Sequence, residues 1–143
     1  MGVIYTFMLS DRPEEQAELE PQYLCPCDVI NIVDGDTWDV RIDLFFENRT
    51  IERVRAMEID TREIHFVKHD SEEYERGMVH KEFVDDWVEA GREPDEDFPF
   101  VLYSHNFNRG KYGRVIGDIY SAKQQEWLTE SLVEKYDDVV VLS

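Results

Sequence analysis

Three short stretches of this chain gather groups that can hold a hard cation beside a phosphate. They are Val33-Asp34-Gly35-Asp36-Thr37, then Arg55-Ala56-Met57-Glu58-Ile59-Asp60-Thr61-Arg62-Glu63, and later Lys111-Tyr112-Gly113-Arg114. Calcium prefers carboxylate and carbonyl oxygens, often with waters. Asp36 in a tight turn and Asp60 at a strand end can meet if their strands are neighbours, and Thr61 can then add its backbone carbonyl. Glu63 follows three residues after Asp60, close enough to orient or deprotonate an attacking water without being a ligand itself. Arg55 and Arg114 can each grip phosphate oxygens bidentately and take up the charge that grows in a transition state. Together these groups suit phosphodiester hydrolysis.

Each residue also has a duller reading. Asp34 and Asp36 in a glycine turn are usually turn formers, and Arg55 in a strand is usually a surface salt-bridge partner. The Lys111 to Arg114 stretch alone is a polar loop with a glycine turn. His65, His69, His80 and His105 show no metal-like spacing and read as loop or surface residues, while Trp38, Trp87 and Trp127 read as core.

The elements that must position these groups follow from the hydrophobic periodicity. Trp38, Val40, Ile42, Leu44 and Phe46 alternate with Asp39, Arg41, Asp43 and Phe45, a period of two that predicts a strand from Trp38 to Phe46. Asp34-Gly35-Asp36 is the turn joining it to a strand over Val29 to Val33. Glu47-Asn48-Arg49 is the next turn, and Thr50 to Ile59 the next strand. The first motif therefore lies at a hairpin tip and the second at a strand end. Asp70 or Ser71 caps a helix running to about Ala90, with Glu73 placed for a capping box and Val79, Phe83, Val84, Trp87 and Val88 as its apolar stripe. Phe100 to Ser104 and Val115 to Tyr120 read as paired strands. Gln125 to Tyr136 reads as a second helix with Leu128, Leu132, Val133 and Tyr136 inward, and Val139 to Leu142 as an edge strand or a tail. Five short strands with two or three packed helices predict an α+β fold, a Greek-key β-barrel of the OB type.

Composition bounds the reading. At 143 residues the chain is one domain, expected to span 23–143 after a flexible acidic lead-in over 1–22. The formal net charge of −18 ordinarily speaks against nucleic acid, whose phosphates it repels. A halophile's surface offers another cause, because screening shortens to about 3 Å at 1 M salt and global repulsion ceases to matter. Acids cluster over 11–20, 82–97 and 126–138 and read as solvated faces, whereas Arg41, Arg49, Arg53, Arg55, Arg62, Arg109, Lys111 and Arg114 bracket the motifs. Cys25 and Cys27, two apart in an extended segment, are ill placed for a disulfide and too few for zinc, so they read as half-buried thiols. The apolar run at Met1 to Leu9 lacks a basic flank and a cleavage signal, and no stretch is long enough to span a membrane, so a cytoplasmic location is the default expectation.

Taken in order, the three motifs resemble the staphylococcal nuclease-like (thermonuclease) family. The likeness extends over roughly residues 27–136, through the helix after the second motif to Thr129-Glu130-Ser131-Leu132-Val133. The resemblance implies an OB-fold nuclease that cleaves DNA and RNA with calcium and leaves 3′-phosphate ends. It implies Asp36, Asp60 and the Thr61 carbonyl as metal ligands, Glu63 as the group that positions or activates water, and Arg55 and Arg114 as phosphate clamps. Lys111 and Tyr112 resemble residues that hold a neighbouring substrate phosphate. Arg62 stands where the family usually has proline. The expected partner is nucleic acid, with no membrane, no obligate protein partner and a monomeric state. A barrel that binds without cutting, and an acidic mimic of DNA, are the alternatives from other classes.

Overall fold

The computed structural model describes residues 24–104 and 115–142. Its strands are β1 (Leu24–Asp34), β2 (Thr37–Asp43), β3 (Arg49–Ala56), β4 (Ile59–Asp60), β5 (Phe100–Ser104), β6 (Val115–Ser121), β7 (Glu126–Trp127) and β8 (Val140–Val141). Two helices occur among the described residues, α1 (Glu72–Gly91) and α2 (Leu128–Lys135). β1 and β2 form an antiparallel hairpin, and β3 pairs with β2 along its whole length. β5 pairs with β1, β6 with β5, and β6 returns parallel to β3 with Val115 opposite Val54. The order β1-β2-β3-β6-β5 thus closes on itself. A closed five-stranded barrel with helices against it is the OB-like α+β architecture expected from the sequence.

The period-two pattern explains the centre of the barrel. Trp38, Val40 and Ile42 of β2 are buried in one cluster with Val29, Val54, Leu102 and Ile119, and their neighbours Asp39 and Arg41 are more exposed. Val84, Trp87 and Val88 of α1 and Leu128 and Leu132 of α2 complete the same core. Full burial of one such side chain contributes about 1.5–3 kcal/mol. Trp87 stacks on Phe100 with ring centroids 5.6 Å apart, while its indole N–H donates to Glu126 at 3.1 Å.

Several sequence expectations are corrected. The β2 strand stops at Asp43, because Phe45, Phe46 and Glu47 adopt φ of 68°, 54° and 66° and fold the chain into a left-handed tip. Leu44, Phe45 and Phe46 are exposed there in spite of the alternation. The strand expected over 50–59 breaks at Met57-Glu58, with Glu58 at φ 62°, so Ile59 and Asp60 form the separate strand β4. β4 pairs with β8, which is therefore an edge strand on the second motif. The second helix begins at Leu128 because Glu126 and Trp127 extend the sheet against β6. Buried Asp118 anchors that helix by accepting the Thr129 backbone N–H and hydroxyl. Val133 is exposed rather than inward and lines an open cavity with Met57, Ile59 and Val141. Trp38 and Trp87 are core, whereas Trp127 is only half-buried. Cys25 is half-buried and Cys27 fully buried, both as free thiols.

The long helix does start where expected. Ser71 is its N-cap, and the Ser71 hydroxyl accepts the Tyr74 N–H at 3.2 Å. Glu73 is thereby one position short of a capping box and is free for another task. Among the described residues, no helix is long and apolar enough to cross a membrane. The expected lead-in over 1–22 lies outside the described residues.

Candidate metal and phosphate site

The hairpin between β1 and β2 folds around its own acids. Asp34 Oδ1 accepts the Asp36 N–H at 3.1 Å, and the Trp38 indole N–H donates to the Gly35 carbonyl at 3.1 Å. Gly35 is needed for close approach. A Cβ at this position would lie 2.8 Å from Thr61 Cγ2 and 2.9 Å from His80 Cβ. The hairpin is thus pressed against both the second motif and α1.

That contact brings the two motifs together. The Thr61 N–H donates to Asp36 Oδ2 at 2.9 Å, and the Thr37 hydroxyl to Asp36 Oδ1 at 3.1 Å. Arg55, at the end of β3, then bridges the two carboxylates. One of its guanidinium nitrogens donates to Asp60 Oδ1 and lies 3.5 Å from Asp36 Oδ2. The other donates to the carbonyls of Ala56 and Ile59 at 3.0 and 2.8 Å. The Met57-Glu58 turn makes this possible, because it swings Ile59 and Asp60 back over the arginine.

Electrostatics separate the paired aspartates. Burial pushes Asp36 up, but hydrogen bonding from Asp34, the Arg55 charge and the Thr61 and Thr37 bonds outweigh it and hold the carboxyl below its usual range. Burial first, and then hydrogen bonding to Asp36 and its charge, raise Asp34. The two neighbouring carboxyls are thus pushed in opposite directions, Asp36 down and Asp34 up.

The donor set has the chemistry of a hard-cation site. Asp36 and Asp60 are two carboxylates already drawn to one positive group, and Thr61 Oγ1 is buried with no hydrogen-bond partner among the described residues. Among those residues no three His, Cys, Asp or Glu side chains converge. Two carboxylates, a carbonyl and waters are within what hard cations accept. The residues present fit such an ion provided that the Arg55 guanidinium gives way.

Glu63 stands close by but curls back on its own loop. Its Oε1 accepts the N–H groups of Ile64 and His65 at 3.0 and 2.8 Å, and its charge is felt at Asp34. Lys111, Tyr112 and Arg114 lie outside the described residues, as does His105. β6, which follows Arg114 in the sequence, opens with Val115 opposite Val54, and its Ile116 is opposite Arg55.

Sequence reasoning missed the support behind the loop. His80, expected at the surface, is fully buried. Its Nδ1 accepts the Arg62 N–H at 3.1 Å and its Nε2 donates to Asp138 at 2.8 Å. Arg76 grips the same carboxylate through two nitrogens at 2.8 and 3.2 Å. Arg76 first, and then His80, hold the Asp138 carboxyl well below the ordinary carboxylate range. Glu73, released from capping, accepts the Glu63 N–H at 3.0 Å and the Arg62 side chain at 3.0 Å. Gly77 lets this loop lie on the helix, since a Cβ there would come within 2.4 Å of Ile64 Cγ2. One signal was available. His80 shares the helical stripe of Val84, Trp87 and Val88, at spacings of i+4, i+7 and i+8.

No family model matches the chain, and no curated protein matches it.

Proposed function

We propose that this protein is a calcium-dependent phosphodiesterase of the staphylococcal nuclease-like kind, acting on DNA or RNA. The observation that carries the reading is the convergence of Asp36 and Asp60 on the single guanidinium of Arg55, at the meeting of a barrel hairpin and a strand end. Binding of nucleic acid in an acidic protein needs a local site of this kind, because the net charge of −18 gives no general attraction. Adaptation to high salt belongs to the same proposal, since screening then removes the global repulsion while contact pairs survive.

Asp36, Asp60 and the Thr61 carbonyl would hold the cation. When bound, the ion supplies Lewis-acid polarisation of a phosphoryl oxygen. Arg55, no longer needed to neutralise the two carboxylates, turns its fork to the phosphate, and Arg114 grips it from the other side. Glu63 orients a water with the oxygen its own loop leaves free and accepts the proton as the water oxygen bonds to phosphorus. The bond to the 5′-oxygen breaks, that oxygen takes a proton from solvent water, and a 3′-phosphate remains. Lys111 and Tyr112 hold the neighbouring phosphate.

A second reading, a barrel that binds without cutting, is favoured by the engagement of Glu63 with Ile64 and His65. One experiment separates the two. Purified protein is incubated with single-stranded DNA in molar potassium chloride, with calcium and then with a chelator, beside an Arg114→Ala control. Calcium-dependent cutting that vanishes in the variant is expected. Binding without cutting by folded, calcium-loaded protein would select the second reading.

A further inference from the structure

Beside the site lies a loop that is pinned at both ends and carries one bare aromatic ring. At its start, Glu63 accepts the Ile64 and His65 N–H groups, and the His65 ring donates to the Val33 carbonyl at 3.3 Å, on the strand leading into the Asp34 turn. At its end, His69 stacks on Tyr74 of α1 with centroids 4.4 Å apart, and the Ser71 N–H donates to the Lys68 carbonyl at 3.0 Å. Between these anchors Phe66 is 106% exposed. Its φ is 62°, in the left-handed region that glycine enters freely and a bulky side chain does not.

Two costs meet at Phe66, as they do at Phe46 beyond the far end of β2, but only the Phe66 loop is tied to the strand that leads into the Asp34 turn. An exposed apolar ring gives up its burial energy, and the backbone beneath it is strained. A loop that merely connected β4 to α1 would be better served by glycine or asparagine. Strain of this sort gathers at ligand-binding positions, where the surrounding structure holds it. The ring is three residues from Glu63, so their α-carbons are at most about 11 Å apart.

We propose that Phe66 is a stacking platform for an unpaired base of the substrate. The inference rests on the nuclease-like reading given above and adds a base-contacting residue to that same site. Every base has a π-face, so such a contact is tolerant of sequence. It is also neutral. Phosphate contacts weaken steeply as salt rises, whereas stacking does not depend on releasing counterions. For a chain of net charge −18, a neutral contact is the natural source of affinity.

The test measures binding and cleavage of a fluorescent single-stranded oligonucleotide by the full chain, as wild type, Phe66→Ala, Phe66→Trp and Phe46→Ala. Phe46 serves as the control because it is an equally bare phenylalanine beyond the far end of β2, about 20 Å along the strand from Thr37. Phe66→Ala should weaken binding about 5- to 100-fold, Phe66→Trp should restore it, and Phe46→Ala should match wild type. Abasic positions walked along the oligonucleotide should reveal one at which wild type falls to the level of Phe66→Ala. Blunt duplex, whose bases are already stacked, should show no such difference between the two. Equal binding of single strands by wild type and Phe66→Ala, with wild type still active, would overturn the inference and leave the nuclease reading standing. An equal loss on blunt duplex would overturn it as well. A wild type that neither binds nor cuts any oligonucleotide would instead overturn the reading on which it rests.

Discussion

His80 accepts the backbone N–H of Arg62 at 3.1 Å, its own ring fully buried at this helix–loop contact. The imidazole tautomer follows from that bond. Nδ1 is the acceptor, so Nε2 carries the hydrogen that reaches Asp138. Arg62 is thus important through its main chain as much as through its charge. Replacing it by proline, the residue usual in the resembled family, would delete the donor and leave a buried nitrogen unsatisfied. Arg62→Pro should cost about 1–3 kcal/mol in urea unfolding. Arg62→Ala keeps the N–H and loses only half-exposed ion pairs, so its cost should stay within about 1 kcal/mol.

Asp138 links stability to acid. Its carboxyl is held below the ordinary value of 3.8, so the stability it adds is fully present above that value and disappears as pH falls through the lower, folded-state value. Urea midpoints followed downward from about pH 6 should decline below about pH 4 for wild type, with a shallower decline in Asp138→Asn. Asp138→Ala, which strips the partner from buried His80 and from Arg76, should cost about 2–3 kcal/mol at neutral pH.

On the proposed reading, Arg55 and the cation would claim the same two carboxylates. Arg55→Ala should therefore tighten calcium binding in calorimetry while lowering turnover by about 100-fold or more, since a phosphate clamp is lost. Weaker calcium binding in the variant would show that the guanidinium supports the ion rather than competing with it.

Glu63→Gln keeps an amide oxygen to accept the Ile64 and His65 N–H groups, so the loop and its melting temperature should be preserved. Turnover on single-stranded DNA should fall by about 100-fold or more, with binding little altered. A variant that cuts as fast as wild type would remove Glu63 from the chemistry.

The local signals were the legible ones. The glycine turn at Asp34–Asp36, the alternation from Trp38 to Ile42 and the Ser71 cap each depend on neighbours within a few residues, and each was read from the sequence. The misreadings share a different cause. The alternation continues through Leu44 and Phe46, yet three successive left-handed residues end the strand before it can use them. Glu73 fits the composition of a capping box, but the helix phase set by Ser71 puts Tyr74 at the capping position and leaves Glu73 to Glu63. His80 sits on the buried stripe of α1, but its partner Asp138 lies 58 positions further along the chain, and no local pattern announces that pairing. The convergence of Asp36 and Asp60 on Arg55 was half legible, since the motifs suggested that the two carboxylates could meet but not the arginine between them.

β8 gives the candidate site an order in time. Ile59 and Asp60 are paired with Val141 and Val140, the Leu142 N–H closes on the Glu58 carbonyl, and Asp138 locks the loop through His80. As the chain leaves the ribosome, the barrel hairpin and the long helix emerge well before those clasps exist. The aspartate of the second motif therefore gains its full set of supports only once Asp138 and the Val140 to Leu142 stretch have emerged, long after Asp60 itself.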